Sequence, residues 1–341
     1  MTGSPNVLEV RDLVVHFPGR HGVVVKAVDG VSFDIAHGEI LALVGESGCG
    51  KSTIALSVMR LLVPNSGTII SGGEDLTNLR GRALRRARRR MQMIFQDPFG
   101  SLDARQTVYE SVVEPLKIHG VGDSANERRT MVLEALDFAH LRPPQRLAGV
   151  YPHELSGGQR QRVAIASAIV LGPELIVADE PVSMLDVSAR AGILRLMVDL
   201  RDRLGVSYLF ITHDLAVAWV VADRIAVVYL GRIVEFGTSE DLVAAPAHPY
   251  TKALLSVSGG DDQVGNIDPV TGQVMDVLPG ETPSAANVPT GCHFHPRCPR
   301  YAELGQPEIC RAADPVLLIM NKRGSTTRIH EVACHFPEEP Q

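Results

Sequence analysis

An α/β fold built on a mostly parallel sheet is predicted, with a helical insertion in its middle and a separate cysteine-bearing tail. Three observations carry it. Apolar, strand-length runs (ILALVG, LIVADE, SYLFITHD, RIAVVYL) alternate with helix-like stretches, the pattern of strands covered by helices on both faces. Residues 107 to about 170 carry apolar side chains three and four apart, and four of the five cysteines fall near the C-terminus.

In chain order, residues 7 to 45 alternate VLEV, LVVHF, VVVKAV and VSFDI with turn residues and end in EILALVG, a β-rich start leading into a buried strand. The loop GESGCGKST follows, and TIALSVMRLL after it reads as a helix that stops before Pro64 and Gly67. GRALRRARRR reads as a helix with a solvated basic face, contact with an acidic partner or lipid headgroups being the alternative, and is followed by the apolar MQMIFQDP. TVYESVVEPLKIHG and ERRTMVLEALDFAHL read as helices, and the strands named above come next. From Ser258 to Thr290 glycine, proline and small polar residues suggest a linker, and no repeat is visible.

A chain of 341 residues has room for about two domains. Its net charge of -6, from 39 acidic and 33 basic side chains, supplies no overall basic field for nucleic acid, so no nucleic-acid partner is expected. The start MTGSPNVLEVRD lacks a charged segment followed by an apolar one, so no signal peptide is read and a cytoplasmic location is expected. The apolar runs are too short to span a bilayer, which leaves peripheral contact through partner proteins.

Gly45, Glu46, Ser47, Gly48, Cys49, Gly50, Lys51 and Ser52 match G-x-x-x-x-G-K-[ST] in full, with Thr53 continuing into the helix. The glycines permit a tight loop whose N–H groups face phosphate oxygens. Lys51 can reach the β- and γ-phosphates, the Ser52 hydroxyl can bind Mg²⁺, and the helix dipole favours the anion. Cys49 stands at a variable position, where its N–H rather than its sulfur would serve. In LIVADE an apolar strand ends in Asp179, suited to the Mg²⁺ sphere, and Glu180, suited to orient and deprotonate a water.

With LSGGQ at residues 155–159, the phosphate loop, the Asp-Glu strand and a later histidine, the chain resembles the ATP-binding subunits of ABC transporters over roughly residues 7 to 250. The resemblance implies a P-loop NTPase of the ABC ATPase type. It would have a RecA-like core, an N-terminal antiparallel β subdomain and an α-helical signature subdomain at about 98–168, within an ATPase domain at 5–257. A C-terminal extension would occupy 258–341. Ser156, Gly157, Gly158 and Gln159 would face the γ-phosphate of an ATP held by a second ATPase subunit, identical or different. This agrees with the attraction of anions to free N–H groups at a helix start. Gln96 of IFQDP is implied to sense Mg²⁺ and water, His213 of FITHD to act as the switch histidine, and Asp186 of SMLD to cross the dimer interface. Phe17 would stack on adenine, with His16 as its competitor. Met184, Ser167 and Asp103-Ala104 depart from the family pattern without removing a phosphate ligand or catalytic group.

ADEPVSMLDVS, QDPFGSLDARQTV, HPYTKALL and GCHFHPRCP look like the oligopeptide and dipeptide import branch, which includes nickel importers. An importer implies two multi-span permease subunits, an extracytoplasmic solute-binding protein and a place at the cytoplasmic face of the membrane. A soluble ABC ATPase of DNA repair or ribosomes is the alternative, disfavoured because neither a second cassette nor a coiled-coil insertion is present.

The tail reads Cys292-x5-Cys298-x11-Cys310-x23-Cys334. In a reducing compartment such clusters bind metal more often than they form disulfides. Four thiolates suit tetrahedral zinc or an iron-sulfur cluster, and the spacing matches neither a zinc ribbon nor a ferredoxin run. The resemblance, whose branch includes tails with a [4Fe-4S] cluster, tips the expectation to a cluster, with zinc, metal-free thiols and plain packing as alternatives.

Overall fold

Two sheets organise the chain in the computed structural model, which describes residues 6–19, 22–97, 100, 102–258, 282–320 and 330–338. The bulk of the expected linker, residues 259–281, lies outside the described residues, as do Pro98, Phe99 and Ser101 of QDPFGSLDARQTV. The first sheet is antiparallel, β2-β1-β4-β5, from β1 (Asn6–Pro18), β2 (Val24–Ala36), β4 (Ser66–Ser71) and β5 (Glu74–Asp75). Alternation decides its inner face: Val7, Leu8, Val10, Leu13 and Val15 of β1 are buried, with bulges re-aiming the strand where the alternation slips.

The second sheet runs β11-β12-β10-β9-β3-β8-β7-β6. Its parallel part comprises β3 (Ile40–Val44), β6 (Met91–Ile94), β7 (Leu175–Asp179), β8 (Ser207–Thr212) and β9 (Arg224–Tyr229). β10 (Arg232–Thr238), β11 (Leu318–Ile319) and β12 (Glu331–Val332) extend it antiparallel. β3 and β7 are buried at every residue, because successive side chains feed two different apolar layers. Ile40, Ala42 and Val44 join the layer shared with the helices of residues 108–169, and Leu41 and Leu43 join the layer beneath the antiparallel sheet.

Helix α1 (Lys51–Val58) follows the glycine loop, and α2 (Gly81–Arg89) carries the arginine run. The first is shorter than TIALSVMRLL suggests. Arg60 takes φ +53 and Leu61 and Leu62 donate back to Leu56 O, so a left-handed residue ends the helix where apolar periodicity alone would continue it. The basic face of α2 is largely solvated, but Arg88 turns back to donate to the carbonyls of Met59 and Arg60.

The middle of the chain is helical as expected: α3 (Val108–His119), α4 (Ala125–Phe138) and α5 (Gly157–Ile169) pack together around Val112, Leu116, Val132, Leu136 and Val163. Each begins at a side-chain cap, Thr107, Ser124 and Ser156, whose oxygen accepts an N–H otherwise unpaired in the first turn. α6 (Val187–Leu204) and α7 (Leu215–Val221) connect the core strands, and α8 (Ser239–Ala244) and α9 (Pro249–Ser258) follow β10.

The tail does not stand apart from this core. β12 pairs with β10 at Glu235↔Val332 and Phe236↔Glu331. Buried Glu235 accepts from the N–H groups of Ala247 and His248, and His330 Nε2 lies 2.7 Å from its Oε1. Among residues read as linker, Ala285 bonds β2 through Lys26 N–H at 3.0 Å.

Candidate active site

The C-terminal ends of β3, β6, β7 and β8 deliver one group of polar side chains. A parallel sheet places its loops at that edge, which is where such folds bind ligands. The loop after β3 is shaped by close backbone approach: a Cβ on Gly45 would lie 2.2 Å from Val228 O, and one on Gly50 2.2 Å from Ala27 O, with Gly50 at φ +108. Only glycine fits there. Lys51 opens α1, buried, its ammonium 2.6 Å from Gly45 O and 2.9 Å from Glu46 O.

Ser52 Oγ donates to Asp179 Oδ1 at 3.2 Å. Burial pushes the Asp179 carboxyl above its usual range; Ser52 and Lys51 oppose the shift while Glu180 adds to it. Glu180, one residue past β7, adopts φ +46, a left-handed conformation uncommon for glutamate and costly to hold. Its N–H donates to Ile211 O at 2.9 Å, which fixes the turn. The carboxylate is gripped from two sides: Gln96 Nε2 donates to Oε2 at 2.9 Å and His213 Nδ1 stands 3.1 Å from Oε1.

These groups face an open pocket of about 690 Å³, lined by Ser47, Gly48, Gly50, Lys51, Ser52, Thr53, Gln96, Glu180 and His213. Its other end is apolar, with Phe17, Val25, Ala27 and Ala285. Of the two aromatic candidates, Phe17 lines the pocket, and His16 turns to Asp29 at 3.1 Å. Charge, metal-ligand and base-like groups thus sit at one end and an aromatic slot at the other, a layout suited to a nucleotide triphosphate with a divalent cation.

Gly45, Glu46, Cys49 and Asp179 stand behind this wall rather than in it. Cys49 is buried, its thiol pushed up by burial and 3.6 Å from Lys51 Nζ. Ser156, Gly157, Gly158, Gln159 and Asp186 do not line the pocket of their own chain. Ser156 caps α5 in a reciprocal box with Gln159, and Asp186 caps α6 by accepting from Ala189 N–H at 2.9 Å. The apolar side chains of Met184 and Val187 flanking Asp186 are exposed.

The four tail cysteines are brought together. Cys292, Cys298, Cys310 and Cys334 line one small cavity with Phe294, Tyr301 and Phe336, and all are free thiols. Burial pushes Cys292 to about 12 and Cys334 to about 11, and raises Cys298 and Cys310. Among the described residues no three His, Cys, Asp or Glu side chains are placed to hold a metal ion as they stand.

Sequence reasoning missed the residues that hold the phosphate loop from behind. Arg297 forms a two-pronged ion pair with Glu46, Nη1 to Oε2 at 2.7 Å and Nη2 to Oε1 at 3.0 Å. Thr282 Oγ1 donates to Glu46 Oε2 at 2.6 Å, and Glu46 N–H donates to the Tyr250 hydroxyl at 2.9 Å. HPYTKALL and HPRCP were visible as branch marks, but nothing in the order of residues links positions 251 apart.

A family model described as ABC transporter matches residues 28–183, and one described as oligopeptide/dipeptide transporter, C-terminal region, matches 234–303. The chain is 50% identical over 299 residues to a putative peptide import ATP-binding protein of Brucella ovis, covering 88% of this chain and 91% of the relative. It is 45% identical to the oligopeptide transport ATP-binding protein AppF of Bacillus subtilis over 97% of each. Among solved structures it is similar to the ATP-binding cassette MJ0796 in a dimeric post-hydrolysis state with ADP and Pi, at 30% identity and TM-score 0.61, covering 68% of this chain and 98% of that one. CbiO1 of Clostridium perfringens, part of the ABC transporter complex cbiONQ, gives 28% identity and TM-score 0.63, covering 71% of this chain and 92% of that one.

Proposed function

The chain belongs to the ATP-binding family of ABC transporters and is an ATP hydrolase of that family, and on that premise we propose that it powers import of oligopeptides or dipeptides. The observation that carries the catalytic part is the Glu180 carboxylate, held by Gln96 and His213 beside the Ser52–Asp179 pair. The peptide assignment is supported by the names of the similar proteins and by the match of the C-terminal region.

In this reading the N–H groups from Ser47 to Thr53 and the Lys51 ammonium hold the phosphates, and Phe17 stacks on the base. Ser52, Asp179 and Gln96 are the ligands for Mg²⁺. The fit is supported by Asp179, a buried carboxyl raised by burial that a cation would relieve. When bound, the ion would supply neutralisation of the charge on the phosphates. Glu180 takes the proton of the attacking water, and His213 and Gln96 orient its carboxylate. Ser156 to Gln159 and Asp186 close the ATP of a second ATPase subunit, a role consistent with their position outside their own pocket. Closure completes each site, and hydrolysis reopens it to drive two permease subunits fed by a solute-binding protein. No described helix is long and apolar enough to cross a membrane, consistent with peripheral attachment at its cytoplasmic face through those permeases.

The four tail thiols fit a four-thiolate group in number and in facing one cavity. A single zinc ion would need all four sulfurs at about 2.3 Å from one point. Cys292, Cys298, Cys310 and Cys334 would hold a [4Fe-4S] cluster, the group that the resemblance to the peptide-import branch suggests, with a zinc ion as the alternative. Iron and labile-sulfide analysis of anaerobically prepared protein tests this: about four of each per chain is expected, and zinc or no metal overturns it.

Gentle detergent extraction of the tagged chain tests the transport reading. Co-purification with two multi-span proteins and peptide-stimulated ATP hydrolysis in the reconstituted complex are expected. A chain that hydrolyses ATP without any membrane partner would point instead to a soluble ATPase. Stimulation by nickel but not peptides would reassign the solute.

A further inference from the structure

Glu46 is the one acidic side chain of the phosphate loop, a loop whose ligand brings several negative charges. Left alone, its carboxylate would repel that ligand at close range. It is held away by the C-terminal extension. The Arg297 guanidinium meets it with two parallel hydrogen bonds, 2.7 and 3.0 Å, and is itself only 6% exposed. Thr282 donates to the same carboxylate and accepts from Arg297 Nη1 at 3.3 Å. The Glu46 main chain is fixed by the buried Tyr250 hydroxyl, whose ring packs against Phe294, three residues before the arginine. The same extension sends Ala285 to the apolar end of the pocket, tied to β2 through Lys26 N–H.

We propose that Arg297 is a positioning residue for the nucleotide: it neutralises Glu46 and braces the phosphate loop, so that the C-terminal extension is a working part of the ATP site. The proposal rests on the ATP-hydrolase reading above. It assigns Arg297 no contact with ATP. The guanidinium acts through Glu46, keeping the loop's N–H groups aimed at the phosphates before the ligand arrives, which avoids a reorganisation cost on binding. A two-pronged planar contact is something arginine supplies and lysine does not.

The test is equilibrium binding of Mg-ATP and steady-state hydrolysis by the full chain, with Arg297→Ala, Glu46→Ala and the double variant. Arg297→Ala is expected to raise Kd and KM about tenfold, a coupling typical of contacting charged pairs, with the loss in KM rather than in kcat. Adding Glu46→Ala to it is expected to restore most of the affinity, because the uncompensated carboxylate is gone. Wild-type affinity in Arg297→Ala overturns the proposal. So does a double variant as weak as Arg297→Ala alone, which would make the arginine a packing residue only. Should Arg297→Ala fail to fold by circular dichroism, Arg297→Lys carries the test: a KM rise of a few-fold is expected, and an unchanged KM overturns the proposal. Failure of the wild-type chain to bind Mg-ATP would instead sink the underlying function.

Discussion

Replacing Glu180 by glutamine separates holding ATP from splitting it. The substitution keeps size, shape and the φ of +46 that the backbone already tolerates. Gln96 Nε2 and His213 Nδ1, at 2.9 and 3.1 Å, now face an amide instead of a carboxylate. One of the two contacts survives on the amide oxygen, and the other is recovered by turning an amide or changing the imidazole tautomer. The structural cost is therefore about 1 kcal/mol, the net worth of one partly exposed hydrogen bond. The chemical cost is much larger, since an amide cannot accept the proton of the attacking water. Loss of a positioned base is worth roughly 10²–10⁴ in rate. Equilibrium binding of Mg-ATP should stay within about fivefold of wild type, from that same 1 kcal/mol or less. Single-turnover hydrolysis should fall at least a hundredfold on the same scale, and ATP-dependent dimers should persist on size exclusion. A variant that hydrolyses ATP at a near-normal rate would refute the assignment of Glu180 as the base.

Gly50→Ala places a Cβ 2.2 Å from Ala27 O at φ +108, so the loop or β2 must move, and Mg-ATP binding should be lost while circular dichroism stays near wild type; retained binding would contradict the reading of the loop. Glu235→Ala strips the buried N–H groups of Ala247 and His248, and His330, of their acceptor. At roughly 1–3 kcal/mol per stranded group, the melting temperature should drop several degrees, and a change below about 2 °C would count against it. Asp29 offers a pH test. Burial alone would raise its carboxyl, but hydrogen bonds and charges from Arg232, His16 and Lys26 outweigh it and hold the carboxyl below 3.8. A lowered folded-state value means stability that is present above pH 3.8 and lost as pH falls through the folded value. Urea unfolding of Asp29→Asn against wild type should therefore show a stability gap at pH 7 that closes toward pH 3, and a gap independent of pH would argue against the ion-pair account.

The residues that lie close in sequence or end a strand were the legible ones. Lys51 and Ser52 follow a strand and open a helix, Asp179 and Glu180 end a wholly apolar run, and Gln96 and His213 follow β6 and β8. Each is announced by a local change from apolar to polar, which a parallel sheet converts into spatial convergence at one edge. The end of α1 was not legible, because Arg60 takes a left-handed backbone that apolar periodicity does not register. Ala285 and Thr282 were hidden for a related reason. Small polar composition reads as linker, whereas their contacts to Lys26 and Glu46 depend on where the chain has returned after more than two hundred residues. The clustering of the cysteines was legible, and the docking of their segment on β10 and the phosphate loop was not.

The pairing of Glu46 with Arg297 also orders events in time. The two residues are 251 positions apart. At the roughly 5–20 residues per second of protein synthesis, the acid waits on the order of 10–50 s for its guanidinium to be made. A nascent or prematurely terminated chain would therefore carry a finished strand, loop and helix with an unneutralised carboxylate beside the phosphate seat. On the proposal made for Arg297, competence for nucleotide waits on that residue, so chains that stop before it would hold ATP poorly.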